Sequence, residues 1–345
     1  MRAMVARRYG PPEVFEPREM PDPQPKPGEV VIRVRVVGVN FADLLQRMGL
    51  YPGTPKPPFV PGIEVAGVVE KVAEAAGRAG ETTTFRRGDA VAAFTQFNGY
   101  AEWVCLPARH AYRLPAGMTF EDGAAIGVNY LTAYHSMFTM ANLQPGDRIL
   151  IHGAAGGVGI AAVQLARTRG LVIFGTAGPA KQEYLRRIGV DHAIDYEKSD
   201  FVGVVHKFAP DGIEMVMDPI GGKSWSRSLK CLGPMGRLIV YGFSAAAGPR
   251  GKRSLLRAGR AFLETPRFHP LKLMAGNVAV IGVNLGGLHA RAAVLAGEMD
   301  ELFKLYAAGK IKPVIAKTFP LGEAAAAHRY VHERKNIGKV ILAVK

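Results

Sequence analysis

"HGAAGGVGIAAVQLARTRG", residues 152–170, decides the fold. Four glycines, Gly153, Gly156, Gly157 and Gly159, fall within seven positions and run straight into an apolar, helix-favouring stretch. Upstream, "RILIH" (148–152) reads as a short strand entered by the turn Pro145-Gly146-Asp147. Downstream, Val158, Ala162, Leu165 and Ala166 recur at helical spacing and give one apolar face. Strand, glycine turn and helix in that order make a dinucleotide cradle: the glycines let the backbone approach a pyrophosphate, and the first amides of the helix point at its charge. Positions 154, 156 and 159 spell A-x-G-x-x-G, with Ala154 where the first glycine usually stands and Gly157 as an extra one. An isolated motif of this kind could equally be a ligand-free turn, so the context has to decide.

The context is a series of such units. "LVIFGT" (171–176) precedes "KQEYLRRIG", "HAIDY" (192–196) precedes "KSDFVGVVHKF", "IEMVMD" (213–218) precedes "KSWSRSLKCL", and "RLIVYG" (237–242) precedes a long basic segment. Short strands alternating with helices predict a doubly wound parallel sheet, closed by "VAVIGVN" (278–284) as its sixth strand. Nucleotide contacts are therefore expected from Ala155, Gly156, Gly157, Val158 and Gly159, with Thr176 at the end of the second strand. Asp218 and Tyr241-Gly242-Phe243 end later strands, where ligands collect in open α/β sheets. An NAD site usually offers an acid at the end of the second strand, and "FGTAGPAK" has none. The small residues leave room for a 2′-phosphate, with Lys181 as its counter-charge and Tyr196 beside it, so NADP(H) is the expected cofactor.

The first 120 residues differ. Runs such as "EVVIRVRVVGVN" (29–40) alternate with Pro/Gly punctuation such as "YPGTPKPPFVPG" (51–62), which predicts a β-barrel-like domain. A chain of 345 residues is expected to hold two domains, and with 48% hydrophobic residues it can fill both cores. Cys105 and Cys231 match no metal spacing, nothing at the amino terminus reads as an apolar signal, and no run approaches bilayer length. The expectation is a soluble protein of a reducing, cytoplasmic compartment. A net charge of +15 favours anionic partners, whether nucleotides, nucleic acid or an acidic membrane.

These residues resemble the medium-chain dehydrogenase/reductases and, among them, the zinc-free quinone oxidoreductases. The resemblance covers nearly the whole chain through "GVNFADLLQRMGLYPG" (38–53), "PGIEVAGVV" (61–69), "GAAGGVG" (153–159), "GTAG" (175–178) and "GKVIL" (338–342). "NYLTAYHSMF" (129–138), "NLQPG" (142–146), "IDY" (194–196) and "MVMDPIGG" (215–222) are similar to the vesicle amine transport protein branch. The resemblance implies an α/β architecture: a GroES-like β-barrel catalytic domain from residues 1–123 and 288–345, and a Rossmann doubly wound parallel sheet from 124–287. Zinc-dependent relatives carry a Cys-x-Ser/Thr-Asp motif where this chain has Asn40-Phe41-Ala42-Asp43, and Gly-His-Glu where it has Gly62-Ile63-Glu64; the third ligand position falls at Val128. An amide and two aliphatic side chains are poor zinc donors, so metal-free chemistry is expected.

The resemblance also implies that Asn40 bonds the nicotinamide ribose or the substrate oxygen, that Tyr51 lines the pocket, that Thr132 lies near the carboxamide, and that Asn284 and Lys339 close over the cofactor. The plainer alternatives are a turn asparagine for Asn40, packing for Tyr51 and a core or cap threonine for Thr132. Relatives commonly dimerise along the last Rossmann strand, and an unpaired apolar edge favours the same outcome here.

One stretch departs from a compact reductase. Residues 246–274 carry Arg250, Lys252, Arg253, Arg257, Arg260 and Arg267 against Glu264, with Leu255, Leu256, Phe262 and Leu263 between them. This is a membrane-surface helix, a nucleic-acid patch, or a solvated helix beside the active site or a subunit partner. Gly248, Gly251 and Gly259 weaken a continuous helix, so only weak, salt-sensitive contact with anionic membrane is expected, and nucleic acid is the less favoured partner. The leading function is NADPH-dependent hydride transfer to a quinone or α,β-unsaturated carbonyl. The rival is a nucleotide-binding peripheral protein that docks to anionic membrane or RNA with weak catalysis.

Overall fold

The structure, a computed structural model, describes residues 1–73, 85–248 and 254–345 apart from the side chain of His289. Arg250, Gly251, Lys252 and Arg253 of the basic stretch lie outside the described residues. The chain divides into two units, Met1–Val128 with Gly286–Lys345, and Asn129–Gly248 with Ser254–Leu285.

The first unit opens with an antiparallel ribbon of β1 (Arg2–Ala6) and β2 (Phe15–Glu19). The long β3 (Glu29–Val39) is the "EVVIRVRVVGV" run, and its β-branched residues bury nearly every position because it pairs with three other strands. Helix α1 (Phe41–Met48) starts at Asn40, whose backbone amide is taken by the Asp43 side chain in a capping box, and ends at Gly49 in the left-handed conformation. Then come β4 (Glu64–Val72), β5 (Ala90–Phe94), β6 (Trp103–Pro107) and β7 (Ala111–Arg113), followed by α2 (Phe120–Tyr134). The β3–β4 register shifts between Val34 and Val36. Gly67 sits at that irregularity, and a Cβ there would lie 2.1 Å from the Arg33 carbonyl oxygen.

The second unit is the β/α series. In chain order its elements are β8 (Arg148–His152), α3 (Gly157–Thr168), β9 (Val172–Ala177), α4 (Gln182–Arg187), β10 (His192–Asp195), α5 (Phe201–Phe208), β11 (Ile213–Asp218), α6 (Lys223–Leu229) and β12 (Leu232–Val240). Two further helices, α7 (Leu255–Leu263) and α8 (Pro270–Gly276), lead to β13 (Ala279–Gly282). All six strands are parallel, in the order β10-β9-β8-β11-β12-β13. The order reverses between β8 and β11, the switch point where such sheets bind ligands. Leu150, Phe174, Ile194, Val205, Ile213, Val216 and Leu238 form a fully buried cluster in this unit.

Two departures from the sequence reading have local causes. Strand β12 begins at Leu232, five residues ahead of Arg237, because Gly-Pro-Met-Gly makes a bulge in the strand where it reads as a turn. Met235 there has φ +67°, and its amide donates to the Asn277 carbonyl at 2.6 Å. Helix α7 runs unbroken through Gly259, held by its Ser254 cap and by packing through Ala261. Tertiary contact outweighs the glycine's cost of about 1 kcal/mol.

The chain then returns to the first unit through α9 (Ala292–Ala307), β14 (Ile315–Pro320), α10 (Ala324–His332) and β15 (Lys339–Ala343). The sheet there runs β14-β15-β3-β4-β5-β7, with β6 on the flank of β3. Both chain ends therefore build one sheet.

Candidate functional site

The glycine loop is built as its spacing requires. Gly153 turns at φ +66°, the Gly156 amide closes back on the Gly153 carbonyl at 2.8 Å, and Gly156 stands at the N-cap of α3 with extended backbone. A Cβ on Gly159 would lie 2.3 Å from the Gly153 oxygen and 2.6 Å from Ala154 Cα, so only glycine lets the helix come this close to the loop. The extra Gly157 also has a reason: a Cβ there would lie 2.4 Å from the Asn129 amide nitrogen. Ala154 is tolerated at the first position because β9 presents Gly175 to it, where a Cβ would approach the alanine methyl to 3.0 Å. Ala155 is buried and Val158 half-buried, so the loop from Ala155 to Gly159 offers backbone more than side chain.

Beyond β9, the Tyr196 hydroxyl lies 3.5 Å and a Glu197 carboxylate oxygen 3.6 Å from where Gly178 would carry a Cβ. Lys181 is half-exposed in the short turn after Gly178. The strand end therefore collects a tyrosine, a lysine and an acid. Glu197 escapes a sequence reading that looks for the acid only on the second strand, because it follows the third.

The other strand-end residues have partners within the protein. The Thr176 side chain is buried: its oxygen receives the Gly153 amide at 3.3 Å and meets His152 Nδ1 at 3.0 Å, so it holds the loop from beneath. Asp218 is fully buried and accepts the Ile220 and Gly221 amides and the hydroxyls of Ser224 and Ser228. Its carboxylate is spent on the protein's own loop. Tyr241 is half-buried behind it, and burial together with the Asp218 charge pushes its phenol well above the ordinary range. Gly242 packs on Pro219, and the Phe243 ring covers Gly221, where a Cβ would come within 2.2 Å of it. Asn284 is exposed just after β13.

The first unit holds a buried polar cluster that no local motif announces. Lys339 Nζ donates to Glu64 Oε2 at 2.5 Å and to Asn40 Oδ1 at 2.7 Å. Asn40 Nδ2 donates to the Gly38 carbonyl and to Glu64, both at 3.1 Å, and Glu64 Oε1 accepts the Val128 amide at 2.6 Å. Asn40 and Lys339 share this cluster, which supplies the partners that a lysine with 3% and a glutamate with 1% side-chain exposure must have. Next to it, Asp43 accepts from Tyr100, whose hydroxyl lies 2.9 Å from His328 Nε2. Burial raises Asp43 to about 7 and drives His328 well below the usual imidazole range. Tyr51 is half-buried just past α1, its carbonyl accepting the Thr54 hydroxyl at 2.6 Å, and Leu45 is buried within that helix. Thr132 is buried in α2, on the part that belongs to the second unit.

Comparison with known proteins follows the two halves of the chain. A family described as alcohol dehydrogenase GroES-like domain matches residues 26–116, and one described as zinc-binding dehydrogenase matches 188–342. The synaptic vesicle membrane protein VAT-1 homolog of Homo sapiens is 40% identical over 330 residues, covering 95% of this chain and 82% of that protein. Its Danio rerio counterpart is also 40% identical, and there the match spans 66% of the relative's length. Human quinone oxidoreductase is 33% identical over 99% of this chain and 97% of its own. The Escherichia coli quinone oxidoreductase complexed with NADPH superposes with a TM-score of 0.87 at 28% identity, over 99% of this chain and 100% of that one. The zinc in one family description does not fit these residues. Positions 40, 63 and 128 offer an amide and two aliphatic side chains, and the adjacent Glu64 carboxylate is neutralised by Lys339.

Proposed function

The chain belongs to the medium-chain dehydrogenase/reductase superfamily, in its zinc-free quinone oxidoreductase-like family, and from that premise we propose that it transfers hydride from NADPH to a quinone or an α,β-unsaturated carbonyl. The observation that carries this reading is the glycine loop at the switch point of the parallel sheet, with Lys181 and Tyr196 around Gly178 at the end of β9. NADPH, when bound, supplies the hydride. The amides of Ala155 to Gly159 would hold its pyrophosphate at the start of α3, and Lys181 would pair with its 2′-phosphate. Glu197 opposes that charge, so it sets how strongly NADPH is preferred over NADH. Acceptors that spread incoming charge onto their own oxygen need one hydrogen bond and a solvent proton, which suits a chain whose residues 40, 63 and 128 are poor ligands for a Lewis-acidic zinc. Tyr51 is proposed to contact the substrate, and Thr132 to contact the carboxamide of the cofactor.

The test is NADPH and NADH oxidation across a panel of quinones and enones, with wild type and Lys181→Ala. The reading expects turnover with at least one acceptor class. A charge-assisted bond contributes roughly 1.5–3 kcal/mol, so the variant should bind NADPH about tenfold or more weakly with NADH unchanged. Equal losses for both nucleotides would remove Lys181 from the phosphate, and no turnover with any acceptor would sink the activity.

The compartment proposed is cytoplasmic, in keeping with two free cysteines. A homodimer is proposed through β13, which stands at the edge of the six-stranded sheet. A light-scattering mass near 37 kDa would exclude it.

A second reading, docking to an anionic membrane, is favoured by one observation. Helix α7 turns its apolar face outward, leaving Leu256 90% and Leu263 84% exposed with Leu255 and Phe262 beside them, while Arg257 and Arg260 are also exposed. Phe268 does not join that face; it packs against the core of its unit near Trp225. Among the described residues no helix is long and apolar enough to cross a membrane. Co-sedimentation with anionic vesicles that vanishes in high salt would support surface docking, and none at low salt would remove it.

A further inference from the structure

Beneath the glycine loop lies an unbroken chain of buried side chains that the nucleotide reading does not use. Asp218 Oδ2 accepts the Ser228 hydroxyl at 2.7 Å, Ser228 Oγ lies 3.1 Å from His152 Nε2, His152 Nδ1 lies 3.0 Å from Thr176 Oγ1, and that oxygen accepts the Gly153 amide at 3.3 Å. Asp218, Ser228, His152 and Thr176 are all buried to within 2% of complete. Their elements differ: the carboxylate ends β11, the serine is on α6, the histidine ends β8 and the threonine is on β9.

Two conditions direct the protons in this chain: the carboxylate at its far end, and an imidazole that burial keeps neutral. A carboxylate only accepts here, since it already receives two amides and the Ser224 hydroxyl. Ser228 must therefore give its proton to Asp218 and receive one from His152 Nε2. The imidazole is then neutral with a bare Nδ1, in keeping with the depression of its basicity by burial. Bare Nδ1 takes the Thr176 proton, and this turns a lone pair of Thr176 toward the Gly153 amide. Four hydrogen bonds thus donate in one direction, from the first residue of the loop to the carboxylate at the end of β11, and tie together the ends of β8, β9 and β11.

We propose that His152 and Thr176 are positioning residues for the glycine loop, oriented by Asp218 through Ser228, so that nucleotide affinity is set in part from below the site. The proposal rests on the nucleotide reading for its ligand and on these four hydrogen bonds for its geometry. Thr176→Val removes the acceptor and the donor while keeping the shape; Thr176→Ser keeps both; Ser228→Ala cuts the chain two links away from the loop.

The experiment measures dissociation constants for NADPH and NADH by fluorescence titration, hydrogen exchange of the Gly153–Gly159 amides without nucleotide, and the ring nitrogens of His152 by NMR. Losing one such bond corresponds to a factor of about three to ten. Thr176→Val should therefore weaken both nucleotides about tenfold and speed exchange at Gly153, Ser228→Ala should weaken both about threefold, and Thr176→Ser should restore wild-type values. The His152 spectrum should show Nε2 protonated and Nδ1 bare. Unchanged exchange and affinity in Thr176→Val and Ser228→Ala, failure of the serine to rescue, or a protonated Nδ1 would each overturn the proposal. If the wild type bound neither nucleotide, the cofactor reading would fail, while the exchange and NMR measurements would still decide the positioning role.

Discussion

Replacing Lys339 by methionine should destabilise the first unit by roughly 3–5 kcal/mol, because it strands the Glu64 carboxylate in a site with almost no solvent. The wild-type pair is 2.5 Å apart with side-chain exposures of 3% and 1%. After the substitution Glu64 keeps only the Val128 amide at 2.6 Å and Asn40 Nδ2 at 3.1 Å, two hydrogen bonds that do not cancel a buried charge. Asn40 Oδ1 loses its donor at the same time. The double variant Lys339→Met/Glu64→Gln removes the charge with its partner and should recover most of the loss, since an amide accepts from Val128 as the carboxylate did. Lys304→Met is the control: its partner Glu301 is on the surface, the pair is 71% and 50% exposed, and the change should cost less than about 0.5 kcal/mol. Urea unfolding followed by fluorescence reads the effect. The two tryptophans divide between the units, Trp103 on β6 and Trp225 on α6, so a Trp225→Phe background reports the first unit alone. The midpoint should fall at unchanged slope. A loss below about 1 kcal/mol in Lys339→Met, or a double variant no better than the single one, would refute the reasoning.

Gly159→Ala should abolish nucleotide binding or weaken it more than tenfold, since the new methyl would meet backbone at 2.3 Å and 2.6 Å; titration with NADPH showing wild-type affinity would contradict the packing argument. Stability should depend on pH with opposed contributions. His152 and His328 stay neutral when folded, so the unfolded chain takes up their protons below about 6.5 and each lowers stability by about 1.4 kcal/mol per unit as pH falls. Asp43 works the other way: it keeps its proton up to about 7 when folded but releases it near 3.8 when unfolded, so its contribution is lost as pH rises through that window. Asp43→Asn should therefore make stability rise more steeply between pH 4.5 and 6, by about 1.4 kcal/mol per unit, and an unaltered slope would place the Asp43 titration elsewhere. Truncating the outward face of α7 with Leu256→Ser and Leu263→Ser should leave the thermal midpoint unchanged, because neither side chain packs; a clear drop would mean that something covers them.

Much of this molecule is legible in its order of residues because much of it is local. Hydrophobic period, turn residues and glycine spacing fix strand, loop and helix within some thirty positions, so residues 148–170 read together with the β/α units that follow them announce a parallel sheet with a nucleotide loop, and the family resemblance picks out 40, 63 and 128 as positions without good zinc donors. The strand β12 bulge was not legible, since Pro234 and Gly236 signal a turn until β11 and Asn277 bond across it. Nor were the roles of the polar residues. Asn40, Lys339, Thr176 and Asp218 carry chemistry suited to a ligand, and tertiary structure gives each of them partners within the protein, Asn40 with Lys339 directly and Thr176 with Asp218 through His152 and Ser228. Glu64 and Lys339 are 275 positions apart, and His152 and Ser228 are 76 apart. Buried polar atoms must find partners wherever the fold brings them, and that demand acts through space, so the sequence determined the architecture and the loop while only the folded chain decided which polar groups hold the site and which remain to meet a ligand.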